Sequence, residues 1–193
     1  MSIERKIRRT SIRGRFAIGL TAVEKAFAES IYNNDPSVRL IVGKYAEFTN
    51  SRRLDIWEQE IRWYGPSVAT GEPSATASEI VHALNAINQR IDNGEGMFSH
   101  IVVYDEQVYE RLLVFLAALD PDIIELLNLC ESIGTGNIYG GTGKYSESTL
   151  KPTLEIIRRT GINLDFDSLS RRHPFSSEHG WGEEFVYETL ETT

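Results

Sequence analysis

The segment Gly140-Gly141-Thr142-Gly143-Lys144-Tyr145-Ser146 has the residue types of a phosphate-binding loop. Such a loop needs a glycine, four residues, then Gly-Lys and a serine or threonine, so that backbone N–H groups wrap phosphate and the hydroxyl holds Mg2+. Here Ile138 stands five places before Gly143, and Tyr145 follows Lys144. The preceding element reads as a helix, where the motif requires a strand. The pattern fails on all three points, and residues 134–143 read as a glycine-rich connection between helices. Such a loop still suits contact with a partner.

Other chemistry is equally incomplete. The histidines are His82, His100, His173 and His179, with no His-x-x-x-His pair and a single cysteine, so no Cys/His set can close a zinc site. His173 and His179 lie six apart with Glu178 and Glu183 nearby, a conceivable metal site whose spacing alone satisfies no coordination geometry. Asp165 and Asp167 are two apart and could hold a cation or act in acid–base work, although short acidic loops usually face water. No Gly-x-Ser-x-Gly elbow is present. Cys130 sits in the apolar run 123–133 and reads as a small core residue. The expectation is a protein with no catalytic residues and no cofactor.

The elements that would position these residues are helical. Phe16, Leu20, Val23, Phe27 and Ile31 mark one face of a helix over 15–31, which Ile3, Ile7 and Ile12 extend towards Ser2 unless Gly14 interrupts it. Asp35-Pro36 starts a second helix, and Asn50 or Ser51 caps a third that ends near Gly65-Pro66. Residues 65–74 read as a loop. Thr76-Ala77-Ser78-Glu79 is a capping box opening the next helix. Residues 97–119 read as one helix, with 100–104 the part that could instead be a short strand. Asp120-Pro121 opens a helix apolar on most sides, read as the central one. The last clear helix spans about 148–160, with Pro152 in its first turn. Beyond it the chain reads as irregular, with a short helix at 167–172. The predicted fold is mainly α: a single compact domain over 1–193, about seven helices in antiparallel pairs, and an irregular C-terminal tail.

Composition narrows the function. Hydrophobic residues make up 41% and charged residues 25%, enough apolar material for a core without staples. No stretch is apolar and uncharged for long enough to span a membrane. Residues 1–15 are basic but lack the apolar segment of a secretory signal, and Glu4 argues against a transit peptide, so a cytoplasmic location is expected. The net charge is −8: +4 over residues 1–64 and −12 over 65–193. That acidic body argues against nucleic acid as the main partner and suits a basic protein. The basic start (Arg5, Lys6, Arg8, Arg9, Arg13, Arg15) could contact phosphates but lacks interleaved aromatics for stacking. It reads better as a helix face paired with acidic neighbours in the same chain.

The run Lys144-Tyr145-Ser146-Glu147-Ser148-Thr149-Leu150, then Glu155-Ile156-Ile157, Thr160-Gly161-Ile162 and Ser177-Glu178-His179-Gly180-Trp181-Gly182, resembles helical immunity proteins of bacterial polymorphic-toxin and contact-dependent growth-inhibition systems. The likeness covers the last third of the chain. It implies an inhibitor that binds a cognate toxin domain, often a nuclease with a basic cleft, and transfers no catalytic residue.

On that reading the partner surface lies in the C-terminal third. Asp165, Asp167, Glu178, Glu183 and Glu184 would meet the toxin, beside His179, with Trp181 as an anchor. Two other functions stay open: a nucleic-acid-binding regulator using the basic start, and a small enzyme or metal protein using the tail histidines and carboxylates. The competing role for Phe175, Trp181 and Phe185 is to fasten the tail to the body.

Overall fold

Every residue from Ile12 to Val23 is buried, and that stretch sets the architecture. It belongs to α2 (Ile12–Ala28), capped by the Ser11 hydroxyl, which accepts from the Gly14 N–H. The structure, a computed structural model, describes residues 1–71, 74–93, 100–136, 138 and 146–190. Among these, ten α-helices and one short 3-10 helix form, with no strand, and a β-bridge joins Thr10 to Pro174. No helix there is long and apolar enough to cross a membrane.

Gly19 lets two helices close on α2. A Cβ at Gly19 would lie 3.2 Å from Cys130 Sγ and Ile133 Cδ1 and 3.3 Å from Ile156 Cδ1, so this turn is where α8 (Pro121–Thr135) and α9 (Glu147–Thr160) come nearest. On another side α3 (Pro36–Asn50) supplies Tyr45 and Phe48, which stack with Phe16, and Trp57 of α4 (Leu54–Ile61) meets both Phe16 and Phe48 edge-on. Aromatic pairs of this geometry contribute about 1 kcal/mol each beyond buried area. The buried apolar residues form one cluster that also takes in α5 (Ser67–Thr70), α6 (Ala77–Asp92) and α7 (Glu106–Ala117). Cys130 is fully buried in it, and burial pushes its thiol pKa up.

Several local signals act as read. Asp35-Pro36 starts α3 with the Asp35 carboxylate accepting from the Ser37 N–H. Asp120-Pro121 starts α8, and Thr76 with Glu79 forms a full capping box on α6. The helix count is higher than about seven because the N-terminal helix divides in two, residues 67–70 form a helix inside an expected loop, and the expected short tail helix adds one more. The N-terminal helix is two: α1 (Ile3–Arg8) ends, and α2 begins after Thr10-Ser11, where the Ser11 N–H donates to the His173 carbonyl. α5 lies inside the stretch read as a loop, and α10 (Phe166–Arg172) is the short tail helix.

Other elements differ. α2, not α8, is central: α8 leaves Asp122, Glu125, Asn128 and Ser132 exposed on its outer side. α4 starts after Arg53, because Asn50 completes α3 and Ser51 caps its end. Pro152 lies in the second turn of α9 rather than the first. Residues 100–105 are neither helix nor strand, and Ile101 is instead clamped by the Asn88 amide, which donates to its carbonyl at 2.9 Å and accepts its N–H at 2.7 Å. α2 stops at Ala28, so Ile31 is off the buried face and 89% exposed.

Candidate functional site

Four of the six basic residues of the start are engaged within the protein, and Arg13 and Arg15 are buried. Arg15 is fully buried, and its guanidinium donates to carbonyl and hydroxyl oxygens. Its Nε and Nη2 donate to the carbonyls of Ile7 (3.1 Å) and Arg8 (3.2 Å), and Nη1 to Ser146 O (3.0 Å) and Thr149 Oγ1 (2.8 Å). The Ile7 and Arg8 carbonyls lie at the C-terminal end of α1, where the helix dipole favours a cation. Burial lowers the Arg15 pKa to about 10, which leaves it charged at neutral pH. Arg13 ties the end of α3 to the tail through the carbonyls of Phe48, Ser51 (2.9 Å) and Gly182 (3.2 Å). Lys6 pairs with Asp167 at 2.7 Å, and Arg8 pairs with Glu4 and Glu147. Arg5 and Arg9 are the two of the six that stay exposed outside such pairs. α9 opens at Ser146, whose buried hydroxyl has no hydrogen-bond partner among the described residues. The phosphate-loop candidates at 140–145 lie outside them.

The tail runs back along α2 as a strap. Phe175 N–H donates to Arg9 O (2.7 Å), Arg13 N–H to Trp181 O (3.1 Å) and Phe185 N–H to Thr49 O (3.0 Å). Tyr187 and Thr189 hydroxyls both donate to Glu24, at 2.6 and 2.7 Å. Trp181 is half-buried against the core, so its ring is part of the fastening. Gly182 has φ 85°, and an added Cβ would come within 2.6 Å of Ser11 Cβ. Gly182→Ala is therefore expected to cost about 2 kcal/mol and to speed amide exchange over 182–190. An unchanged melting temperature and exchange pattern would show that the strap tolerates a side chain there.

The seven residues read from the tail do not form one surface patch of free charge. Asp165 caps α10 by accepting from Ser168 N–H, Asp167 is held by Lys6, and Glu184 by Arg52 at 3.0 Å. Glu178 and His179 are exposed, both in the left-handed region at φ 45° and 53°. Glu183 is exposed. His173, the other half of the suggested metal pair, stacks on Phe185 at 4.2 Å, and burial first, then Arg172, lowers its pKa. Among the described residues no group of three or more His, Cys, Asp or Glu is placed to hold a metal ion.

Two other places have the shape of a site. A polar cleft of about 370 Å3 opens between α3, α4 and the 100–102 segment. At its floor Lys44 Nζ meets Glu60 at 2.6 Å and Glu47 at 3.1 Å, with the Lys44 and Glu60 side chains each only 7% exposed. Burial alone would lower the Lys44 pKa, and the two carboxylates overcome that and raise it. A nucleophilic amine needs the opposite shift, so Lys44 is an ion-pair partner here.

The second place is a mainly apolar groove of about 710 Å3 beyond the C-terminal end of α2. Tyr32 forms one wall, edge-on to Phe115 at 5.5 Å, its hydroxyl donating to Ala118 O at 2.6 Å. Along α7 an exposed stripe runs Glu106, Glu110, Val114, Ala118 at four-residue spacing, from acidic to apolar. Glu110, Val114 and Ala118 line the groove, together with Asp35 and Pro36 at the start of α3. Asp120 and Asp122 follow Ala118 by two and four residues and are exposed. Over 32–37 and 105–122 there are six carboxylates and one base, Arg111.

No family model matches the chain, and no curated protein or solved structure is significantly similar to it. What the groove can do rests on its own chemistry. Asp35 and Asp105 are spent as helix caps. Glu106, Glu110, Asp120 and Asp122 have no ion-pair partner among the described residues, unlike Asp167 and Glu184 of the tail. Glu106 and Glu110 are an i, i+4 like-charge pair, which weakens an isolated helix by about 0.2–0.5 kcal/mol. The α7 stripe was legible as the complement of the buried positions Leu112, Phe115 and Leu116, but a pattern read for its core leaves the outer face unread.

Proposed function

We propose that the chain is a binding protein that neutralises a basic partner domain, as an immunity protein does to its cognate toxin. The observation that carries this reading is the apolar groove bordered by Glu110 of α7, with the exposed carboxylates Glu106, Asp120 and Asp122 close to it in the chain and without an ion-pair partner among the described residues. A basic domain such as a nuclease, with a cleft built for phosphate, is complementary to it in charge, and complementary charge accelerates association. The likeness of the C-terminal third to immunity proteins points the same way. The protein acts in the cytoplasm as a single helical domain and has no catalytic role of its own. Asp165, Asp167 and Glu184 of the tail serve mainly to hold the fold, and Glu178 and Glu183 are exposed on it.

The test is a growth assay. The protein encoded next to this chain is expressed in bacteria from a repressible promoter, alone and together with it. Growth arrest by the neighbour, relieved by co-expression, is the expected result. A neighbour whose toxicity this chain leaves untouched, while both proteins are present and folded, would remove the immunity reading.

A further inference from the structure

We infer that the groove between the start of α3 and α7 takes a cationic amphipathic helical segment of the partner, with an apolar side chain seated on Val114, Phe115 and Ala118 and lysine or arginine beside it. This rests on the binding reading above and adds the chemistry of the segment that is bound.

The floor and the rim ask for different halves of such a segment. Val114 is 72% exposed although it lies beside the apolar cluster, and Tyr32 and Pro36 face it across the groove. Apolar surface left open beside a core stabilises a complex when a partner covers it. Asp35 at the start of α3 and Glu110 on α7 line the groove, and Glu106, one turn before Glu110, and Asp120 and Asp122, just after Ala118, add exposed carboxylates next to these in the chain. Arg111 is the single base lining the groove. An uncharged apolar helix would bury that floor but leave the carboxylates unanswered. A purely basic peptide would answer the carboxylates and leave the floor wet. A helix with apolar residues on one face and cations flanking them satisfies both, which is how grooves of this kind recognise amphipathic helices.

The probe is a fluorescent helical peptide of leucine and lysine arranged with one apolar face, titrated into the full chain. Its control has the same composition scrambled so that no face forms. Tighter binding of the ordered peptide is expected, with amide shifts mapping to 32–37 and 106–118. Val114→Asn is expected to weaken it about fivefold by wetting the floor. Glu106→Gln with Glu110→Gln is expected to weaken it and flatten its salt dependence. Glu183→Gln with Glu184→Gln should leave it within about twofold. All these positions are exposed, so the substitutions leave the core untouched. Equal binding of the scrambled peptide, shifts elsewhere, or indifference to Val114→Asn would each overturn the inference. Rescue of growth without groove binding would reject this segment chemistry and keep the neutralising role. Groove binding without rescue would reject the immunity role and keep the docking site.

Discussion

Arg15→Ala is expected to lower the unfolding free energy by about 4 kcal/mol in urea denaturation. Inside the protein the guanidinium donates to the Thr149 hydroxyl and to three backbone carbonyls, those of Ile7, Arg8 and Ser146. Removing it leaves the Ile7 and Arg8 carbonyls at the end of α1 and the Ser146 carbonyl at the start of α9 without this donor. The three helices α1, α2 and α9 meet at this one side chain. Arg15→Lys should recover little, because an ammonium cannot reach carbonyls spread around a planar fork. A loss below about 1 kcal/mol for Arg15→Ala would mean that the carbonyls find other donors and that the arginine is not what joins α1 to the bundle.

Lys44→Met is expected to cost about 3–5 kcal/mol, because it strands the Glu60 carboxylate in a buried position. Burial already raises the Glu60 pKa with Lys44 in place. Glu47 is half-exposed and can turn to water, so the penalty falls on Glu60. The double variant Lys44→Met with Glu60→Leu should recover most of the loss, since an apolar pair of similar size removes both desolvation costs. If the double variant is as unstable as the single one, the ammonium is needed for its bond network and not merely as a counter-charge. Trp57 Nε1, which donates to the Lys44 carbonyl at 3.0 Å, keeps its partner in either variant.

What could be read from the sequence follows from how far apart the interacting residues lie. Asp35-Pro36, Asp120-Pro121 and Thr76 with Glu79 act within three residues of themselves, so the starts of α3, α8 and α6 were legible. The break between α1 and α2 was not, because it is fixed by Ser11 N–H on His173 O and Phe175 N–H on Arg9 O, bonds to the far end of the chain. The same holds for the tail. Its glutamates, aspartates and Trp181 look like an interaction surface in one dimension, but Lys6, Arg52 and Arg13 reach across from the N-terminal third and engage much of it. Six basic residues near the start look like a phosphate-binding helix until Arg13 and Arg15 turn out to end other helices. For the groove, one wall was present as a four-residue stripe on α7, while the other comes from the turn after α2, where the periodicity carried Ile31 one step too far.

The α7–α8 interface is tested most directly by stopped-flow association with the neutralised partner, comparing two charge reversals at low salt. Glu110→Lys with Asp122→Lys is expected to slow association by about tenfold, with the difference shrinking as salt is raised. Glu183→Lys with Glu184→Lys, on the tail, is expected to slow it by no more than about twofold. If the tail reversal slows association and the α7–α8 reversal leaves it unchanged, the contact surface is the strap, and the groove is not where the partner binds.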